Sequence, residues 1–503
     1  MSYRSQSAPP RILIFIVAYN AKTTLPWVLD RIPESLRREN VEVLVIDDSS
    51  PDDTFQTGID YVASHRDRSG LTITVLRNPE NQRYGGNQKL GYRYAIEHGF
   101  DFVALVHGDG QYAPECLPDL LAPLIAGEAD AVFGSRMMTR GGARQGGMPL
   151  YKFLGNKVLT RFQNSLLGTT LTEFHSGYRL YAVHALERVP FECNTNDFHF
   201  DTEIIIQFVL AGLRIKELPI PTYYGDEVCR VDGLKYAWDV CKTMLRARVH
   251  QMDLLYNRKF DVDTPGRSYE LKLDYPSSHT FALDAARPCG EVLNVVGSKA
   301  DLSRELAARA CYVTNLGESG NDDVASIAWN LQAAEFPVDV SRYDQIFLLD
   351  VIEHLHEPER FMEELRFAAR RHRPEVVIAT ANVGFFVTRL MLLFGQFNYG
   401  RRGILDRSHR RLFTFASLTT LLEQSGYQII ETRGVPAPFP LAVKTPWLSR
   451  LLLRANEWLL KVARNWFSYQ IFVRAQATPS VHHLLEQTVE NSDALRGLYP
   501  VRS

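Results

Sequence analysis

Residues 103–134 read VALVHGDGQYAPECLPDLLAPLIAGEADAVFG. The apolar runs at either end read as two strands. His107, Asp109 and Gln111 follow the first run at every second position. Side chains alternate across a strand, so residues spaced by two can converge on one point. Three such ligands at a strand end suit a divalent metal that carries a diphosphate. Asp109 offers a carboxylate oxygen to Mg²⁺ or Mn²⁺, and Gln111 could add a carbonyl oxygen. His107 could add an imidazole nitrogen, which tilts the choice towards Mn²⁺, or it is a strand-end histidine bonded to a neighbour.

Around this stretch, strand-like runs at 12–18, 41–46, 71–76, 102–106 and 131–133 alternate with amphipathic segments such as 25–36 and 86–98. The alternation predicts an α/β fold with a mainly parallel sheet covered by helices. A helical tail at 235–256 leads into NRKFDVDTPGRSYELK, a polar seam with a Pro-Gly turn. A second α/β pattern starts at EVLNVVGS, with further strands at 345–349 and 376–379, and ends near Phe472. The predicted division is a first domain over 1–258, a linker over 259–279, a second domain over 280–435 and an amphipathic helical extension over 436–503.

With 503 residues, the chain is too long for one hydrophobic core. Its composition, 45% hydrophobic and 23% charged, is that of a globular protein. A net charge of −2 carries no global basic footprint for nucleic acid. Six cysteines lie far apart with no CxxC pair, a pattern of reduced thiols rather than of a disulfide framework or zinc site. The N-terminal MSYRSQSAPP is polar, and the next apolar run is far below signal-peptide or membrane-span length. A cytoplasmic protein is expected, peripheral on the inner face of the membrane if something docks it there.

Asp47 and Asp48 follow the apolar run VEVLVI, at the carboxyl end of a strand, where open α/β sheets bind ligands. Such a carboxylate can accept hydrogen bonds from a base or ribose. The run Asp48 to Asp52 also reads as a turn and helix N-cap. Gly85 and Gly86 let backbone approach a ligand and open a helix whose amides favour anions, or they only make a turn. Arg136 and Arg179 could clamp phosphate oxygens bidentately. Asp201 or Glu203 could act as general base or orient the acceptor, or either acid could cap the helix TEIIIQFVLAGL.

The ordered set VAYN, VIDDSSPDDT, GGNQKLGYRYA, HGDGQY, GSR, HSGYR, FDTE and IKELPIPTYYGDE resembles the family 2 glycosyltransferases over about residues 10 to 250. The dolichyl- or polyprenyl-phosphate mannosyltransferase branch is most similar. The resemblance implies a GT-A fold and inverting transfer from a nucleotide sugar, with Asp48 on the nucleotide and Asp109 and Gln111 on metal and diphosphate. It places Tyr19, Asn20, Asp47, Gly85, Gly86 and Arg136 around the nucleotide sugar. Glu173 and Arg179 fall at the acid and arginine of the family's Asp-x-x-Ser-Gly-Phe-Arg segment, and Glu203 at the acid of the following helix. Three positions depart from the pattern. His107 stands where the first Asp of Asp-x-Asp is expected, and Ala21 and Lys22 replace the acid after Tyr19-Asn20. The late loop reads YYGDEVCRVDG, where Arg230 is the candidate for acceptor phosphate beside Arg136 and Arg179.

From about 280 to 435 the chain resembles class I S-adenosylmethionine-dependent methyltransferases, carried by YDQIFLLDVIEHLHEPERFMEEL, VVIATANVGF and HRRLFTFASLTTLLEQSGY. A Rossmann-like fold is implied. The cofactor half departs from the family: Asn294 replaces the acid, Val296, Ser298 and Ala300 fall at glycine positions, and Leu316 or Gly317 stands near the ribose-binding acid. Side chains there would crowd the cofactor. A methyltransferase fold without methyl transfer or bound S-adenosylmethionine is expected, with Asp350, Glu353 and His354 as capping and packing residues. The whole layout resembles bacterial bifunctional glycosyltransferase/methyltransferase proteins.

Near the C-terminus, Arg450, Arg454, Glu457, Lys461 and Arg464 repeat at helical spacing, with Leu451, Leu452, Leu459, Val462 and Trp466 on the remaining surface. Trp447 and Trp458 flank the charged stripe, as at a lipid headgroup boundary. The helix either lies on a membrane or packs against its own domain. The expected activity is transfer of a sugar to a polyprenyl-phosphate or lipid-linked acceptor in cell-envelope polysaccharide synthesis. The alternatives are an inactive scaffold of an assembly complex and an enzyme that also methylates the glycan.

Overall fold

The computed structural model describes residues 9–65, 71–222, 232–251, 256–263, 271–296, 302–309, 312–317, 324–333, 335–369, 373–443, 445–479, 484–485 and 488–489. The chain divides into two compact units, Met1–His250 with Asn257–Pro265, and Gln251–Tyr256 with Gly266–Ser503. The first seven strands are β1 (Ile12–Ala18), β2 (Val41–Asp47), β3 (Thr72–Arg77), β4 (Phe102–His107), β5 (Ala131–Ser135), β6 (Arg179–Ala182) and β7 (Ile215–Pro219). They form one sheet in the order β3-β2-β1-β4-β6-β5-β7. All neighbours pair in parallel except β6, which runs antiparallel between β4 and β5.

β1 shows why this sheet is covered on both faces. Leu13 and Phe15 pack with Tyr92 in one core, and Ile14 and Ile16 pack with Leu25 and Leu29 in the other. A strand buried on both sides reads as a continuous apolar run, which is what ILIFIVA is. The helix expected over 25–36 stops at Asp30, and Pro33 precedes a separate short turn, Glu34–Leu36. The helix expected from Gly86 begins at Arg83.

The polar seam is only partly a linker. Asn257–Pro265 belongs to the first unit, where Phe260 enters the core and Lys259 reaches Glu203. The helix Ser278–Ala285 already belongs to the second unit, started by a capping box between Ser277 and Thr280.

The second sheet contains β8 (Glu291–Val296), β9 (Tyr312–Gly317), β10 (Ala325–Ala328), β11 (Gln345–Leu349), β12 (Glu375–Ala381), β13 (Tyr427–Val435) and β14 (Gln470–Ala477). Its order is β10-β9-β8-β11-β12-β14-β13. β8 to β12 are parallel, and β14 runs antiparallel between β12 and β13. Residues 436–503 are therefore not a purely helical extension. The long helix Pro446–Phe467 leads back into the sheet, because the buried strand QIFVRAQA completes it. That helix is interrupted at Ala463 (φ −147°, ψ 68°), which takes Arg464 off the predicted charged stripe. Arg464 instead lies over the Phe415 ring. No helix among the described residues is long and apolar enough to cross a membrane.

Candidate functional site

β2, β1 and β4 are neighbours and parallel, so Asp48, Tyr19-Asn20 and the turn after His107 emerge at one edge of the sheet. β2 and β4 are two strand spacings apart, about 10 Å, a span that suits a nucleotide diphosphate. The backbone is unusual here: Asn20, Ser49 and Arg83 have φ of 53°, 57° and 64°. Left-handed non-glycine residues cluster at ligand-binding edges, where surrounding contacts hold the strain.

Each contact at this edge can be traced to a side chain. Asp48 Oδ1 accepts hydrogen bonds from Asn78 Nδ2 and from the Gln82 amide, both at 2.7 Å. Asp47 is fully buried, accepts from the Ser50 amide at 3.2 Å and lies 3.5 Å from Arg77 Nε. The Asn20 amide donates to Ser50 Oγ at 2.9 Å, while the Tyr19 side chain is exposed. Asp47 thus holds the turn, Asp48 is buried beside it at 4% exposure, and Tyr19 is exposed.

Gly85 and Gly86 do not leave room for a ligand. A Cβ on Gly85 would lie 2.5 Å from Thr195 O and 2.7 Å from Phe200 Cβ, and one on Gly86 would lie 3.1 Å from Asn196 Cγ. The Gly85 amide donates to Asn196 O at 2.7 Å. The protein's own loop fills the space expected for the donor, so the pair serves close packing.

The convergence expected of His107, Asp109 and Gln111 fails for a geometric reason. β4 ends at His107, and Gly110 turns the chain with φ 78°. The strand period of two therefore does not extend to Asp109 and Gln111. Asp109 is exposed, and its Oδ1 accepts from the Gln111 amide at 3.0 Å. The His107 ring packs against Gly177, where a Cβ would lie 2.7 Å from Nε2, and its edges meet Tyr84 and Tyr112 at centroid distances of 5.7 and 4.9 Å. Nε2 is buried without a hydrogen-bond partner. Burial lowers the His107 pKa, against the pull of Asp109 and Asp201. Among the described residues, no group of three or more His, Cys, Asp or Glu is arranged to hold a metal. Asp109 alone still fits Mg²⁺ or Mn²⁺ chemistry, because such ions are commonly held by one or two carboxylates plus substrate phosphates.

Two of the three arginines assigned to phosphate, Arg136 and Arg179, bond the protein's own carboxylate and carbonyl groups. Arg136 is buried against Glu173: its amide reaches Oε2 at 2.8 Å, its Nε reaches Oε1 at 3.0 Å, and Nη2 bonds both Oε1 and His175 O. Burial alone would raise the Glu173 pKa, but the Arg136 guanidinium brings it below the usual carboxylate range. Arg179 opens β6 between Leu105 and Phe133, deep in the sheet. It donates to the carbonyls of Ser176, Asp201 and Phe174 at 2.8, 3.0 and 2.8 Å. Both arginines shape the loop Thr172–Gly177 from behind. Arg230 lies outside the described residues.

Asp201 and Glu203 point apart, as residues two apart on a helix must. Glu203 accepts from the Thr195 amide and from Lys259 Nζ, both at 2.6 Å, and is 2% exposed. These contacts tie Glu203 to the Thr195 backbone and to Lys259. Asp201 turns towards the site, where it accepts from Tyr84 Oη at 2.8 Å and lies 3.7 Å from Arg179. Burial, then Asp201, push the Tyr84 pKa far up, so the phenol stays a donor.

Three residues given no role by sequence reasoning brace this centre. Tyr84 joins Asp201 to His107, Tyr112 Oη accepts from the Gly177 amide at 2.7 Å, and Asn78 holds Asp48. The two tyrosines were visible next to motifs, in RYGG and GDGQY. His175 completes the loop: its Nδ1 lies 2.8 Å from Tyr236 Oη, and burial lowers its pKa to about 4.

Residues 13–189 match the model of the family described as glycosyl transferase family 2. The first unit carries a family 2 glycosyltransferase domain. Undecaprenyl-phosphate mannosyltransferase of Micrococcus luteus is 29% identical over 211 residues, 42% of this chain and 82% of that protein. Polyprenol monophosphomannose synthase of Mycolicibacterium smegmatis is 26% identical over 211 residues, 42% of this chain and 76% of its own length. A crystal structure of glucosyl-3-phosphoglycerate synthase of M. tuberculosis is 20% identical, covering 47% of this chain and 80% of that one, with a TM-score of 0.36. The glycosyltransferase domain has an α/β, GT-A-like fold with a mixed sheet.

Proposed function

We infer that the first unit transfers a sugar, with inversion, from a nucleotide diphosphate donor to a polyprenyl-phosphate or related lipid-linked acceptor. The observation that carries this reading is the shared edge of β2, β1 and β4, where Asp48 is held by Asn78 and Gln82 and Asp109 stands exposed one turn beyond β4. The mannosyltransferase and synthase relatives, named for undecaprenyl phosphate and polyprenol, supply the acceptor class. Asp48 and Tyr19 would bind the nucleoside, and Asp109 with Gln111 would meet a Mn²⁺ or Mg²⁺ ion on the diphosphate. That ion would supply charge neutralisation for the departing diphosphate. A lipid phosphate already carries a nucleophilic oxyanion, with a second pKa of about 6, so no general base is required. Asp201 is assigned as a positioning residue that holds Tyr84 and, through it, His107.

Two helices of the first unit support action next to a membrane. Leu150–Leu167 exposes Leu150, Leu154 and Val158 on one face and carries Lys152, Lys157 and Arg161 with no acid. Gly233–Gln251 exposes Leu234, Trp238 and Leu245. Apolar faces with cations beside them suit an interfacial position, on the inner leaflet if the donor is a cytoplasmic nucleotide sugar.

For the second unit, a Rossmann-like, methyltransferase-like domain without methyl transfer is proposed. Its first five strands follow the doubly wound order 3-2-1-4-5 of dinucleotide-binding sheets. Asn294, in place of an acid, donates to Asn315 Oδ1 at 3.0 Å. A Cβ at Gly317 would lie 2.7 Å from Val296 O, so the ribose-binding acid cannot be accommodated there. Residues 297–301, which would form the cofactor loop, lie outside the described residues.

The test is an assay of labelled sugar transfer from GDP- and UDP-sugars to undecaprenyl phosphate with Mn²⁺ or Mg²⁺. Lipid-linked product that disappears in Asp109→Ala supports the reading. No product from any donor, with the protein folded, contradicts it and favours a scaffold.

A further inference from the structure

Helix Pro446–Phe467 of the second unit presents three different faces. Ser449, Leu453 and Asn456 are buried against their own unit. Asn456 fixes that contact, accepting from the Ala437 amide at 2.9 Å and donating to Phe467 O at 3.0 Å. A surface helix with its inner face filled is expected to be polar outside. Instead, Trp447, Leu451, Trp458 and Val462 stand exposed, the two indoles at 64% and 63%. Their spacings of four, seven and four place them on one stripe of an α-helix.

A second row runs beside it. Arg450, Arg454 and Lys461 each follow one of the first three apolar residues by three positions. Glu457 is the one acid of this helix. Among the described residues no acid is paired with Arg454 or Lys461. Both line a groove of about 370 Å³ whose walls include Phe281, Pro436 and Trp458, with Glu457 between the two cations in sequence.

The apolar surface continues beyond the kink at Ala463. The Arg389 guanidinium lies 4.3 Å over the Trp466 ring. Arg389 belongs to helix Phe386–Leu393, whose end leaves Leu393 and Phe394 at 76% and 75% exposure. Single exposed apolar residues are ordinary, but a patch joined across two helices marks an interaction surface.

We propose that this face docks the second unit onto an anionic lipid bilayer. Indoles sit at the headgroup boundary, Leu451, Val462, Leu393 and Phe394 enter the acyl region, and the cationic row meets lipid phosphates, one of which the groove receives. Charge complementarity selects this occupant. In a two-fold self-association the same patch meets itself, which would bring cations against cations at a cost. An anionic headgroup plane attracts each Lys or Arg that comes near it. The proposal concerns the second unit and does not depend on sugar transfer.

The experiment is co-sedimentation of the full chain with vesicles of phosphatidylethanolamine and phosphatidylglycerol, with phosphatidylcholine vesicles alongside. Binding to the anionic vesicles, weakened by salt, is expected. Arg450→Glu/Arg454→Glu/Lys461→Glu is expected to lower the partition coefficient at least about tenfold, and Trp447→Ser/Trp458→Ser comparably. An unchanged thermal transition in both variants shows that the fold is intact. A control in the first unit, Leu154→Ser/Trp238→Ser, separates the two surfaces. Wild-type partition by both second-unit variants, with loss only in the control, would overturn the proposal. So would a wild-type mass that doubles in light scattering and halves in the tryptophan variant, which would make the face a self-interface.

Discussion

In the first unit, β2 and β4 lead into Asp48 and Asp109, whose carboxylates accept from amide donors and, at Asp109, face solvent. In the second unit, β11 leads into Asp350 and Glu353. Asp350, in a left-handed conformation, accepts from Gln470 Nε2 at 2.8 Å, and Glu353 is 1% exposed with both oxygens unpartnered. Burial raises both groups, and Asp350 adds to it at Glu353, which is pushed up to about 8. Both sheets bring acids to the carboxyl edge, where open sheets bind ligands. What differs is the set of donors around them. One edge meets its carboxylates with amide N–H groups; at the other, burial raises the pKa of both carboxyls. Topology places a site, and the local donors decide its chemistry.

The largest effect is expected behind the first edge. Glu173→Ala strands the buried Arg136 guanidinium and should cost about 3–5 kcal/mol in chemical denaturation, while the Arg136→Met/Glu173→Leu pair should recover most of it. If the single variant is near neutral, the loop 172–177 is not held from behind as described. Next, Asp109→Ala should lower transfer by at least about 100-fold with little change in stability, since its carboxylate is exposed. Asp350→Asn should leave transfer unchanged.

The two edges should also respond to pH with opposite sign. Glu353 has a folded pKa above its ordinary value, so its contribution is complete below about 4.5 and is lost as pH rises through about 8. His175 has a folded pKa near 4, below the ordinary 6.5, so its contribution is complete above 6.5 and is lost as pH falls towards 4. Calorimetric melts of the two units should therefore diverge, the second losing stability on going to pH 8 and the first on going to pH 5. Glu353→Gln should flatten the alkaline limb alone, by roughly 1 kcal/mol per pH unit. Melts that shift together would erase the contrast. The smallest effect is expected at Gly85, where Ala should cost about 1–3 kcal/mol by overpacking against Thr195 and Phe200 without altering nucleotide affinity.

Much of the fold was legible in the sequence, because strands buried on both faces announce themselves as apolar runs such as ILIFIVA and VEVLVID. β6 and β14 were not anticipated as sheet strands. RLYA is four residues long and begins with arginine, and QIFVRAQA follows a helix that reads as a separate extension. The strand-end positions of Asp48 and Asp109 were legible in the sequence. The site was misread at Arg136, Arg179 and Glu203, since charged residues in a motif look alike whether they face a ligand or the core. Three backbone carbonyls around Arg179 and a lysine distant in sequence beside Glu203 are tertiary facts. The strand period also misled at Gln111, because Gly110 ends it.

The first edge is expected to bind a nucleotide diphosphate with a metal, and the second edge to bind neither. Calorimetric titration of the full chain with GDP- and UDP-sugars, with and without Mn²⁺, tests this most directly, with S-adenosylmethionine as a parallel titrant. One nucleotide sugar binding at a single site, strengthened by Mn²⁺ and abolished in Asp109→Ala, with no heat from S-adenosylmethionine, is the predicted result. Binding that survives Asp109→Ala, or a clear S-adenosylmethionine isotherm, would contradict it.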